Sequence, residues 1–117
     1  MNLDDAIASH TKWKLKLRSA IANQESLDAA TIGVDDRCEF GKWLHGPAKV
    51  SYGALASYRG CLAAHKDFHL EAARVARLIC QMKFDEATES IGAESEFGRA
   101  SKAVCLAIVQ LKLEVGA

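Results

Sequence analysis

The chain has 117 residues, the length of one domain, and its 15 basic and 15 acidic residues cancel to a formal net charge of zero. This balance excludes the basic surface that nucleic-acid binding requires and provides no polybasic membrane anchor. No stretch approaches the roughly 20 apolar residues of a membrane span. We therefore expect residues 1–117 to form a single domain with no nucleic-acid partner and no direct membrane insertion.

The first residues and the cysteines bear on the cellular compartment. The sequence opens with Met1-Asn2-Leu3-Asp4-Asp5, which is acidic and lacks the apolar region of a secretory signal. The four cysteines, at positions 38, 61, 80 and 105, are too widely separated for the compact framework of a disulfide-rich protein. We expect a cytoplasmic protein with reduced thiols.

Strong helix breakers are scarce, because Pro47 is the only proline and glycine is sparse within the long segments. The predicted fold class is all-α. In the first segment, apolar residues recur at helical spacing and predict a long helix from about residue 3 to residue 24. Its inward positions are Leu3, Ile7, His10, Leu17 and Ile21, with Trp13 beside them.

After a connection over residues 27–34, a short second helix is predicted. Asp35 or Asp36 is expected to cap its start. Gly46 in a left-handed conformation and Pro47 are expected to end it. The helix carries Cys38, Phe40, Trp43 and Leu44.

The third helix is predicted by an unbroken alternation of three- and four-residue intervals, as in helical bundles. Its inward line comprises Leu55, Tyr58, Leu62, His65, His69, Ala72, Ala76 and Ile79. A fourth helix is predicted from about residue 85 to residue 115, although Gly92 and Gly98 weaken its middle. Its inward line comprises Ala87, Ile91, Val104, Ile108, Leu111 and Val115. Together these segments predict a four-helix bundle with three long helices and one short helix that carries Cys38.

Histidines interrupt two of these apolar lines. His65 and His69 are four residues apart, so both leave one face of the third helix and can converge on a metal ion. His10 occupies an inward position of the first helix, where an unpartnered imidazole is costly to bury. Cys38 lies in the first turn of the short helix, a location that lowers the pKa of a thiol and favours the thiolate that binds metal.

Three imidazoles and one thiolate form a tetrahedral shell that suits zinc best, with copper possible and calcium or magnesium excluded. A di-iron site would need several inward carboxylates, which the helices do not offer. The alternative is that His10, Cys38, His65 and His69 pack separately in the core as unrelated polar residues.

The remaining cysteines and His45 have simpler interpretations. Cys61 lies four residues before His65 and is a rival ligand, but Leu62 fits the inward line better. Cys80 and Cys105 are expected to be small buried apolar residues. His45, at the end of the short helix, is expected to interact with the helix dipole.

Three segments of the chain read His10-Thr11-Lys12-Trp13, Cys38-Glu39-Phe40-Gly41-Lys42-Trp43 and His65-Lys66-Asp67-Phe68-His69. Together they resemble the motifs of a known family, the chemoreceptor zinc-binding domain of bacterial sensory proteins. The resemblance implies a homodimeric four-helix domain with zinc held by the three matched histidines and the cysteine. It also implies control of a chemotaxis receptor or a diguanylate cyclase in response to zinc or to oxidants such as hypochlorous acid.

We therefore predict a zinc-binding regulatory domain, not an enzyme, in which oxidation of Cys38 weakens its bond to the metal. Two alternatives remain at this point. One is a structural zinc-stapled bundle that mediates dimerisation, for which Leu15 and Leu113, off the inward lines, are candidate contacts. The other is a small helical metalloenzyme, but Asp67 and Glu71 face away from the histidine pair and no inward general base is evident.

Overall fold

The computed structural model describes residues 1–116, and every helix and contact below belongs to this range. The helices are α1 (Leu3–Thr11), α2 (Trp13–Asn23), α3 (Ala29–Ile32), α4 (Glu39–His45), α5 (Pro47–Tyr52), α6 (Ala56–Cys80), α7 (Phe84–Ser90) and α8 (Glu96–Val115). No strand occurs within residues 1–116, so the predicted all-α fold class is confirmed. No helix in this range is long and apolar enough to cross a membrane.

The long helix α6 lies at the centre of the bundle and packs along α8, while α3 covers part of α6. The helix α1 runs antiparallel to α8. Near the start of α1, Lys112 Nζ donates to Asp4 Oδ1 at 2.7 Å, and at its end Thr11 Oγ1 lies 3.6 Å from Cys105 Sγ. The core also includes residues of α2 and α4. Its fully buried members include Leu17, Leu44, Phe68, Phe97, Val104, Ile108 and Leu111.

The first predicted helix is divided into α1 and α2 at Lys12. The backbone nevertheless remains right-handed there, with φ −70° and ψ −16°. The amide of Lys12 donates to Ala8 O and its carbonyl accepts from Lys16 N, both at 3.1 Å, so the helical hydrogen bonding continues across the division. The segment ends at Gln24, whose left-handed φ of 52° stops the helix.

The short second helix differs from the prediction at both ends. Cys38, rather than Asp35 or Asp36, caps α4, since its Sγ accepts from the amide of Gly41 at 3.3 Å. Gly46 is not left-handed, because its φ is −113°. Pro47 begins a further helix, α5, which the sequence did not predict; proline is favoured at the first helical position, where its missing N–H is not needed.

The fourth predicted helix is two helices, α7 and α8, and the prediction of one continuous helix was wrong. The chain turns between Ile91 and Ser95, and Ser95 caps α8 by accepting from Gly98 N at 3.0 Å. The predicted inward positions on both helices are nevertheless buried, apart from the half-buried Val115. The apolar pattern therefore identified the buried face correctly but not the break in the backbone.

On α6 the prediction that Leu62 rather than Cys61 faces the core was wrong. Cys61 is fully buried and Leu62 only half-buried. Because α6 packs against several helices at once, its buried arc is wider than one line. A second line of fully buried positions, spaced seven apart, comprises Cys61, Phe68 and Val75.

Candidate metal centre

Residues around the start of α4 fix the position of Cys38. Besides donating to Cys38 Sγ, Gly41 lies directly against the backbone of Asp35, at a distance that leaves no room for a Cβ. Phe40, one residue earlier, is buried and orients the turn toward the core. The residues that precede α4 therefore fold back over its first turn and fix the position of the thiol.

Cys38 Sγ meets the two histidines of α6 directly. It lies 3.3 Å from His65 Nε2 and 3.7 Å from His69 Nε2, and the two Nε2 atoms are 3.1 Å apart. A tetrahedral zinc ion with usual bond lengths separates its ligands by about 3.3 Å for nitrogen pairs and about 3.6 Å for sulfur and nitrogen. The three separations thus match the edges of a zinc shell.

His10 contributes the fourth ligand atom from α1. One ligand atom from each of His10, Cys38, His65 and His69 lies within 4.8 Å of all the others. The structure thus brings together all four residues that the sequence predicted as ligands. The histidines are buried, with exposed fractions of 0 to 3%, and Cys38 is half-buried. Three separate segments of the chain therefore position these residues to bind one metal ion.

Hydrogen bonds to backbone carbonyls fix the tautomers of two histidines. His10 Nδ1 lies 2.8 Å from Ala6 O and His69 Nδ1 lies 2.9 Å from Ile32 O, so both Nδ1 atoms must carry the proton. Each Nε2 then has a free lone pair that faces the cluster. His10 Nε2 is buried and has no hydrogen-bond partner in residues 1–116. Such an orphaned lone pair, beside a thiol and two more imidazoles, fits a metal ligand.

His65 differs from the other two histidines at Nδ1, the ring nitrogen that is not directed at the cluster. Its Nδ1 is buried and finds no partner among the described residues. Metal-binding histidines usually donate this N–H to a carbonyl or a carboxylate. His65 is therefore positioned mainly by packing, with its ring edge-on to Phe40 at a centroid distance of 5.2 Å.

Burial sets the charge of the histidines. It lowers the pKa of His10 and His69 and lowers that of His65 to about 2, where the neighbouring histidines add to the effect. The imidazoles are thus neutral at physiological pH, as metal binding requires. For Cys38, burial raises the pKa of the thiol more than the amides of Gly41 and Phe40 lower it, contrary to the prediction from the helix N-terminus. In the metal-free chain the thiol therefore keeps its proton, which a bound cation displaces.

Aromatic rings pack against the three histidines of the cluster. Phe40 and Phe68 lie edge-on to the ring of His10 at centroid distances of 5.7 and 5.2 Å, and Phe68 also flanks His69 at 5.5 Å. Trp13, three residues after His10, is half-buried against the core. These apolar rings keep the imidazoles in one orientation and lower the local dielectric, which strengthens their interaction with a cation.

The donor set contains no carboxylate within the described residues. Asp67 and Glu71 line a separate surface cleft, where Glu71 pairs with Arg74 at 2.8 Å. Three nitrogens and one sulfur fit zinc, whereas calcium and magnesium require oxygen ligands. Together the four donors would fill all four positions of a tetrahedral ion.

The other predicted residues lie outside the cluster. Cys61 is not part of it, and burial raises the pKa of its thiol to about 12. Cys80 and Cys105 are not buried as predicted: Cys80 is exposed at the end of α6, where Sγ donates to Leu27 O, and Cys105 is half-buried between α1 and α8. His45 pairs with Asp35, with Nε2 3.1 Å from Oδ2, which joins the end of α4 to the segment before it.

Two contacts that position the site residues were not predicted from the sequence. The Ile32 carbonyl that orients His69 is 37 residues away, and nothing in the sequence pattern marks it. The contact between Gly41 and Asp35 has one weak signal, a glycine in the first turn of a short helix. The first depends on how α3 packs on α6, and the second on how the segment before α4 folds back over its first turn.

The family model of the chemoreceptor zinc-binding domain matches residues 10–76, more than half of the chain. The match begins at His10, contains Cys38, His65 and His69, and ends within α6. No curated protein and no solved structure matches the chain.

Proposed function

Because the chain belongs to the chemoreceptor zinc-binding domain family, we propose that residues 1–117 form a single sensory domain that binds one zinc ion. The ligands are His10, Cys38, His65 and His69. The observation that carries the proposal is the convergence of their donor atoms from α1, α4 and α6 within 4.8 Å. Zinc, when bound, supplies a strong link among these helices, and its binding free energy adds to their stability.

The proposed role is regulatory. The family is a regulatory zinc-binding family rather than a known enzyme family. A closed shell of four protein ligands, without a nearby carboxylate base, supports sensing and gives no support to hydrolysis. The output that we propose, following the family, is a chemotaxis receptor or a diguanylate cyclase.

Metal analysis tests the zinc site. The protein is purified without added metal, and zinc is counted by mass spectrometry in the wild type, Cys38→Ala, His69→Ala and Cys61→Ala. We expect about one zinc per chain, lost in the first two variants and kept in Cys61→Ala. Cys61 is the matched control because it is a buried cysteine on α6, one turn from His65. A wild-type protein that takes up no zinc, even from added salt, would overturn the proposal.

We further propose that Cys38 is the responsive ligand. Its thiolate can react with hypochlorous acid: two electrons pass from sulfur to chlorine, chloride leaves, and oxygen with its proton stays on sulfur as a sulfenic acid. The product is neutral and a weaker ligand than a thiolate. Since Cys38 is the only ligand on the α4 segment, its oxidation would free this segment from the two histidines of α6.

Titration with hypochlorous acid tests this step. We expect zinc release in proportion to sulfenic acid at Cys38, the latter trapped by dimedone and located by peptide mass spectrometry. The exposed thiol of Cys80 serves as the internal comparison. If Cys80 is oxidised while zinc stays bound and Cys38 is not labelled by dimedone, the redox proposal is wrong. The proposed zinc site would not be affected by this result.

We also propose a homodimer in the reducing cytoplasm. The wide spacing of the four cysteines along the sequence, unlike that of a disulfide framework, supports a reducing compartment. On α8, an exposed apolar stripe of three residues spaced three and four apart supports a contact between helices of two copies. This α8 stripe consists of Leu106, Val109 and Leu113.

A further inference from the structure

A cavity of about 350 Å³ leads from the surface to the metal centre. It lies between the first two turns of α1 and the start of α4, and two of the four ligands, His10 and Cys38, form part of its wall. His10 is 1% exposed, and its unpartnered Nε2 belongs to the cluster at the inner end. The cavity is thus a path from solvent to atoms that are otherwise enclosed.

The charged side chains of this cavity are acidic. Asp5 on α1 and Glu39 on α4 line it, and no lysine or arginine of the described residues does so. Neither carboxylate takes part in an ion pair within residues 1–116. The ammonium of Lys112, which approaches the same end of α1, is engaged by Asp4 at 2.7 Å. The side chains of the path therefore carry two negative charges that form no ion pair, and with the α-ammonium group of Met1, which also lines the cavity, the path is net negative.

We propose that this cavity is the route to Cys38, and that Asp5 and Glu39 make it selective for cations and uncharged molecules over anions. The inference rests on the proposed function, in which Cys38 is the responsive ligand. Zn²⁺ is attracted along such a path, and neutral hypochlorous acid enters more readily than its anion or other anionic oxidants. The two carboxylates would thus determine which oxidants the centre detects.

Two thiol reagents of nearly equal size but different charge test the selectivity. Iodoacetamide is neutral and iodoacetate is an anion; in both, a bond forms from Sγ to the reagent carbon and iodide leaves with the electrons of the carbon–iodine bond. Peptide mass spectrometry gives the rate at Cys38 and, in the same molecule, at the exposed Cys80. The readout is the ratio of the iodoacetamide rate to the iodoacetate rate at Cys38, divided by the same ratio at Cys80.

The informative variant is the double change Asp5→Asn/Glu39→Gln, and Glu86→Gln/Glu89→Gln is its control. The control removes the same net charge from exposed positions on α7 that do not line the cavity. We expect the wild-type ratio to exceed unity and to fall about fivefold in the double variant, which is the order of effect that two nearby unit charges have on an anion in water. The control should keep the wild-type ratio.

A second measurement needs no variant. At about 1 M salt the screening length shrinks to roughly 3 Å, so the wild-type ratio should fall toward unity. A ratio that is unchanged by salt and by the double variant, or that falls equally in the control, would overturn the inference. These results would leave the zinc count untouched. Conversely, a protein without zinc would defeat the proposed function, whereas the rate ratio would still report the charge of the path.

Discussion

Gly41 lies so close to the backbone carbonyl of Asp35 that a side chain at position 41 would overlap the carbonyl oxygen. The same glycine donates its amide to Cys38 Sγ at 3.3 Å. The glycine thus allows the segment before α4 to cross its first turn, and it also anchors the thiol. The position of the Cys38 thiol therefore depends on a residue that has no side chain to bind metal.

We predict that Gly41→Ala weakens zinc binding at least tenfold, because either the 35–36 segment or the first turn of α4 must move to admit the methyl group. A tenfold loss corresponds to about 1.4 kcal/mol, within the usual cost of overpacking. Competition with a chromogenic chelator measures the affinity. The control is Gly60→Ala, on α6, where a Cβ meets nothing within 4 Å. Equal affinities in the two variants would contradict the role assigned to Gly41.

The buried histidines should make the zinc-free protein sensitive to acid. Burial lowers the pKa of His10, His65 and His69 in the folded state from the ordinary 6.5, to about 2 for His65. As pH falls below about 6.5, the unfolded chain takes up protons that the folded chain does not. Stability is therefore complete above this pH and declines below it, by up to about 1.4 kcal/mol per pH unit for each histidine.

Urea unfolding of the chelator-treated protein between pH 8 and 5 measures this decline. The comparison variant is His10→Leu, in which one of the three buried imidazoles is replaced and the slope should be smaller by about one proton. In the zinc-loaded protein, protons also compete with the metal, so acid acts in the same direction. A zinc-free stability that stays constant from pH 8 to 5 would show that these histidines are not buried as neutral groups.

Much of the site was predictable because its histidines lie on helices with a clear period. His65 and His69 interrupt an apolar line at four-residue spacing, and His10 does so on α1, so each had to face the interior. Cys38 depends on a different signal, its predicted place in the first turn of a short helix; in the structure it is the residue that caps this helix. What joins these positions across the fold, such as the Ile32 carbonyl on His69, depends on tertiary packing that no local pattern encodes.

The errors have the same origin. Periodicity identifies one face of a helix, but α6 has several neighbours, so Cys61 is buried although it lies off the predicted line. Gly92 and Gly98 were recognised as weak points of a long helix, yet a weak point becomes a break only if the separated pieces gain contacts. Here Ser95 supplies a cap and Gly98 packs against the turn.

Gly98 should tolerate no side chain. A Cβ there would lie 2.6 Å from Ala93 O and even closer to Gly92 O, both of them backbone atoms. We predict that Gly98→Ala lowers the free energy of unfolding by about 1–3 kcal/mol, the usual cost of forcing extra atoms into a packed region. Gly92→Ala, where the nearest atom is 3.4 Å away, should cost much less. Urea titrations measure the free energy of unfolding of both variants. Similar decreases in the two variants would contradict the close contact at Gly98.

The α8 stripe of Leu106, Val109 and Leu113 gives a direct test of the proposed homodimer. Leu113 is 77% exposed, so its side chain contributes little to the stability of the monomer. Burial between two copies would stabilise the dimer by about 2 kcal/mol per leucine. Leu113→Glu removes this gain and places two like charges near the symmetry axis. We expect the dimer dissociation constant, measured by analytical ultracentrifugation, to rise at least tenfold.

Val50→Glu is the control for the added charge, because Val50 is 89% exposed on α5 and outside the stripe. It should dissociate like the wild type. Zinc content should remain about one per chain in both variants, since neither residue lies in the cluster, so any loss of dimer would reflect the surface and not the metal centre. A wild type that stays monomeric at all concentrations, or equal dissociation constants in the two variants, would exclude the α8 stripe as the dimer contact.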